Sequence, residues 1–105
     1  MIKNTRQRDL DALLPVIQIP LLIEFGANWS KPHKRQIPIL RCLDKEYADK
    51  LRIITINVDG NPMLASRYNV NDIPTIILII NEKEIARLIG LKNLEEIKTV
   101  IEPCL

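Results

Sequence analysis

Cysteine is scarce in this sequence, and the C-x-x-C spacing is missing. Cys42 and Cys104 are the only two, far apart in the chain and without zinc-ligand spacing. Aromatic residues are also few, at 4%, against 47% hydrophobic residues dominated by Ile and Leu. That points to an aliphatic globular core and excludes a disordered tail. Neither sign of charge prevails, with 15 basic and 13 acidic residues well mixed and a net charge of +2. Such a balance gives no electrostatic case for nucleic acid or an anionic membrane. Arg6, Arg8, Lys31, Lys34 and Arg35 hint at basic clustering and read as solvated surface. No apolar run approaches the ~20 residues of a membrane helix. The polar stretch before Leu10 does not read as a signal peptide. Repeats, low-complexity segments and linkers are absent. The expectation is one soluble, cytoplasmic domain spanning residues 1–105, with reduced thiols.

What the sequence does contain is a regular alternation of the two hydrophobic periods. Leu10, Leu13 and Leu14 predict a short helix over roughly 5–14, stopped before Pro15. Residues 21–25 form an apolar run broken by Glu24 and ended by Gly26, which predicts a buried strand. From Ser30 to Tyr47, the positions Ile37, Leu40, Leu43 and Tyr47 recur at helical spacing. Ser30 is a good N-cap, Pro32 is tolerated in the first turn, and Pro38 predicts a kink. The β-branched run 53–58 predicts a central strand, and residues 63–68 a short helix. Residues 75–80 predict a buried strand, 81–83 a hairpin connection and 84–89 its partner. Leu94, Ile97, Val100 and Ile101 line one face of a last helix. The order, after an ill-defined first strand, is α-β-α-β-α-β-β-α. It predicts an α/β domain whose mixed sheet carries helices on both faces.

At this point the residues resemble the thioredoxin family. Phe25-Gly26-Ala27-Asn28-Trp29-Ser30-Lys31-Pro32-His33-Lys34 aligns with the family pattern F-x-A-x-W-C-G-P-C-K. Pro38 falls where family members kink the active-site helix. The segments 57–62 and 72–75 match N-x-D-x-N and I-P-T, and Gly90 follows the last strand. The resemblance runs from about Pro20 to the C-terminus. It implies a thioredoxin fold with a central mixed sheet of four to five strands.

The departure carries as much information as the match. Thioredoxin chemistry uses one thiol as attacking thiolate and a second to resolve the mixed disulfide. Those positions are Ser30 and His33 here. A serine hydroxyl forms no disulfide, and an imidazole resolves none. Cys42 lies further along the same helix, about 13 Å from His33 along its axis. Cys104, at the far end, is distant from the site if the family fold holds.

Each singled-out residue has a plain reading and a sharper one. Ser30 is an N-cap or a nucleophile. His33 is a polar substitute for the second cysteine, a partner for Ser30, or a metal ligand with no second ligand in reach. Glu24 is a buried acid whose pKa burial raises, with His33 or a water as its partner. The family has a buried aspartate there, and the lysine that accompanies it is replaced by Thr55. Ser30, His33 and Glu24 also have the order of a serine–histidine–acid triad, though no oxyanion hole can be read. The resemblance makes Trp29, Pro32, Ile73, Pro74 and Gly90 a peptide-binding groove, with Pro74 in a cis peptide bond.

The expected function is therefore a redox-inactive, thioredoxin-like binding module that is not an enzyme. Its partner would be a protein or client segment. No metal or cofactor is expected, nor any nucleic-acid or membrane partner, and the chain would be a monomer or weak homodimer. The alternatives are an atypical thiol–disulfide oxidoreductase or redox-homeostasis protein using Cys42 or Cys104, and a structural subunit.

Overall fold

Alternation along the strands sets the layers. In the computed structural model, which describes residues 2–105, β2 (Leu21–Gly26) is buried throughout. Leu21, Ile23 and Phe25 enter one core, and Leu22 enters the other. The first core is covered by α1 (Gln7–Leu13) through Leu10 and by α3 (Pro62–Arg67) through Leu64. The second is covered by α2 (Lys31–Glu46) through Leu40 and Leu43, and by α4 (Leu94–Ile101) through Ile97 and Ile101. Each fully buried aliphatic side chain contributes about 1.5–3 kcal/mol relative to exposure.

The sheet has five strands in the order β1-β3-β2-β4-β5. β1 (Lys3–Asn4) and β3 (Arg52–Asn57) are parallel, as are β3 and β2. β4 (Thr75–Ile80) lies antiparallel to β2, and β5 (Lys83–Ile89) completes the sheet antiparallel to β4. This is the thioredoxin fold that the resemblance implied. No described helix is long and apolar enough to cross a membrane.

Several boundaries differ from the sequence reading, each for a local reason. The first helix begins later than residue 5, because the Thr5 N–H bonds the Thr55 carbonyl at 2.7 Å and Arg6 is an extended N-cap. The strand read over 53–58 runs 52–57, and α3 starts at Pro62, where a missing N–H costs nothing. The hairpin turn is two residues, not three. Asn81 and Glu82 take φ of 52° and 66°, and Lys83 already pairs with Ile80. Two positive φ values match the right-handed twist of the flanking strands. Pro38 sits within α2 without ending it.

Candidate functional site

The site forms where β2 ends and α2 begins. Ser30 is extended (φ −84°, ψ 119°), and its Oγ accepts the His33 backbone N–H at 3.3 Å. That is the N-cap bond, worth about 1 kcal/mol. The His33 side chain turns away from Ser30 and inward. Its Nδ1 lies 2.6 Å from Glu24 Oε2, with the carboxylate fully buried and the imidazole side chain 12% exposed. Among the described residues, nothing hydrogen-bonds Nε2 of His33, and Ser30 Oγ makes no bond to the ring. The triad therefore has its histidine–acid half and lacks the serine–histidine half.

Gly26 makes this pairing possible. A Cβ built on Gly26 would fall 2.0 Å from His33 Nδ1 and 2.6 Å from its Cγ. The imidazole occupies the space a side chain would need. The sequence reading took Gly26 only as a strand end; its role depends on a ring donated from the next helix.

Burial pushes the Glu24 carboxyl above its ordinary value. The His33 hydrogen bond, its charge and the Thr55 hydroxyl pull the other way without cancelling the burial. Among the described residues, Glu24 Oε1 is buried with no hydrogen-bond partner within bonding distance. An acid whose folded pKa is raised favours folding while protonated. That contribution fades as pH climbs from about 4.5, the ordinary glutamate value, through the raised folded value. Over this window, wild type is expected to lose stability relative to Glu24→Gln, which keeps the shape without the charge. Urea unfolding of both proteins across the range checks it; a stability gap that widens in favour of wild type would contradict the burial argument.

The second cluster lies at the same end of the sheet. Phe25 pairs with Thr75, and Thr75 with Ile89, so Ile73, Pro74 and Gly90 come together beside the β2 exit. The Ile73–Pro74 bond is cis, Pro74 is buried, and the Gly90 N–H bonds the Pro74 carbonyl at 2.8 Å. Gly90 has φ of 87°, a left-handed value that favours glycine. Trp29 is 68% exposed, yet its Nε1 donates to Asp59 Oδ2 at 2.8 Å. Asp59 entered the sequence reading only as part of the segment 57–62 that matches N-x-D-x-N. Pro32 is exposed on the first turn of α2.

Gln36 is a further residue that sequence reading missed. It is a polar residue outside the apolar stripe of Ile37, Leu40, Leu43 and Tyr47, yet it is fully buried. Its amide bonds both the carbonyl (3.0 Å) and the N–H (2.9 Å) of Lys92. This clamp ties α2 to the segment that follows Gly90. Cys42 is exposed and Cys104 half-buried, and both thiols are free. No group of three or more potential metal-ligating side chains occurs among the described residues.

The family model for thioredoxin matches residues 2–103. The chain belongs to the thioredoxin family. It is 39% identical over 75 residues to a thioredoxin of Rickettsia typhi, covering 71% of each chain. It is 35% identical over 82 residues to a thioredoxin of Haemophilus influenzae, covering 78% of this chain and 77% of that one. An M-type chloroplastic thioredoxin of Zea mays is 29% identical over 96 residues, covering 91% of this chain and 58% of that protein. Within this family frame, Ser30 and His33 stand at the two positions that the pattern gives to cysteine.

Proposed function

We propose that this thioredoxin-family chain is redox-inactive and docks an extended protein segment non-covalently through Trp29, Pro32, Ile73, Pro74 and Gly90. The observation that carries the reading is Trp29. A large exposed indole held by a 2.8 Å bond to Asp59 is an anchor whose orientation is fixed before a partner arrives. Rigid aromatic anchors of this kind lose little conformational entropy on binding. Ile73 adds the second element. Among the described residues, neither its N–H nor its C=O is hydrogen-bonded, so a partner strand can pair with it as an added edge. Ser30, as an N-cap, offers no thiol with which to hold the segment covalently.

Pull-down from the source cell with wild type and Trp29→Ala tests this reading. A hot-spot aromatic costs about 2 kcal/mol or more when truncated, roughly thirtyfold in affinity. The expected result is loss of the captured partners from the variant. Equal retention by both proteins would remove the groove from the function.

A further inference from the structure

A second recessed site lies on the other side of His33. In-register pairing places Asn4 of β1 opposite Thr55 of β3, and Thr55 opposite Glu24 of β2. These three side chains form a polar row on the α2 face of the sheet, where the neighbouring row of Ile53, Leu22 and Leu78 is apolar. Over the row runs one stripe of α2. His33, Ile37, Arg41 and Lys45 recur every fourth residue and so share a face. Between stripe and row is an open cleft of about 530 Å³, lined by the stripe, by Asn4 and Thr55 of the row and by Asn28, with Glu24 buried beneath His33. Its volume is in the range of small-molecule sites.

The charges in this cleft are arranged for an anion. Arg41 and Lys45 enter no ion pair among the described residues. Elsewhere Arg67 holds Asp11, Arg87 holds Glu84 and Lys98 holds Glu46. Asp44 also lines the cleft, so the two cations exceed it by one charge before the His33–Glu24 pair is counted. An adjoining hollow over the same stripe adds Lys34 and no carboxylate. The dyad contributes as well. With Nδ1 committed to Glu24, the free hydrogen-bonding position of the imidazole is Nε2, and the ring lines the cleft. Asn4, Asn28 and Thr55 supply neutral donors and acceptors.

We propose that this cleft binds a small anion bearing phosphate or carboxylate oxygens, with Arg41 and Lys45 holding the charge and His33, Asn28 and Thr55 orienting it. The site shares no lining residue with the groove at Trp29, so it stands or falls independently of the proposed function.

The test is an NMR titration of the whole protein with pyrophosphate and, separately, succinate, against sodium chloride at matched ionic strength. Saturable shifts of the Asn4, Asn28 and Thr55 amides and the His33 ring are expected with at least one probe. The stronger responder identifies phosphate or carboxylate as the preferred group. Arg41→Gln, an exposed substitution, is expected to weaken binding about tenfold, the effect of losing one charge-assisted hydrogen bond. Lys83→Gln in the hairpin serves as a charge-matched control and should bind as wild type. Linear shifts that sodium chloride reproduces would overturn the proposal. So would saturable binding that Arg41→Gln leaves unchanged.

Discussion

Introducing Ser30→Cys and His33→Cys together is expected to give this chain catalysis of insulin reduction by dithiothreitol. Wild type should give only the background rate. The scaffold for the chemistry is already in place. Ser30 caps a 16-residue helix, and its side-chain oxygen already accepts a backbone N–H from that helix's first turn. A thiolate there would meet the positive end of the helix dipole. At pH 7 a thiol of pKa 8.5 is only about 3% ionised; lowered to ~7, as in C-x-x-C sites, it is about half ionised. The gain in attacking species is therefore more than tenfold. The second substitution supplies the resolving thiol three residues on, which a single Ser30→Cys change lacks. Single-substituted protein should instead accumulate as a mixed disulfide, readable by mass spectrometry. A double variant that is folded yet as inert as wild type would show that more than two thiols separates this site from a redox centre. Dithiol activity in wild type that disappears with Cys42→Ser or Cys104→Ser would overturn the redox-inactive reading itself.

The site was legible in the sequence where it rests on local signals and obscure where it rests on distant ones. Thr75–Ile80 was readable end to end, because Pro74 and Asn81 bound an unbroken apolar run. The Ser30 cap and the Pro32 first turn were equally plain. β1 could not be located, because two exposed residues, Lys3 and Asn4, carry no hydrophobic period and are strand only through pairing with Ile54 and Thr55. Gln36 gave no signal because its burial goes with bonds to Lys92, a partner 56 residues away in the chain. Glu24 stood out as a charge within an apolar strand, with His33 and a water left open as partners. The fold chose His33, and the enabling residue was Gly26, which has no side chain to announce its role. The cleft beneath α2 had no signature at all. His33, Arg41 and Lys45 share a helical face, but only strand register brings Asn4 and Thr55 beneath them.

Gly26→Ala should be among the most damaging single-methyl changes in this molecule, and His33→Ala should relieve it. The new Cβ would overlap the imidazole at 2.0–2.7 Å along one ring edge. Gly26 cannot retreat, since it pairs with Asn57 in β3 and its carbonyl accepts the Val58 N–H at 3.0 Å. The ring must therefore leave, and with it goes the 2.6 Å bond to Glu24 Oε2. Glu24 Oε1 already has no hydrogen-bond partner among the described residues, so the carboxyl would then lose its one close bond. Losing a hydrogen bond to a buried ionisable group costs about 1.5–3 kcal/mol, and displaced packing adds about 1 or more. The expected sum is about 2–4 kcal/mol, or a fall in Tm of roughly 10–20 °C for a domain of this size. His33→Ala alone should cost a comparable amount, because it orphans the same carboxyl. In the double variant the costs should not add. Once the ring is gone, the alanine methyl enters vacated space, and Gly26→Ala should then cost under about 1 kcal/mol. Thermal and urea unfolding of the four proteins measure this coupling. Additive losses would mean that the methyl meets some obstacle other than His33, and that the glycine is not what seats the histidine on its acid.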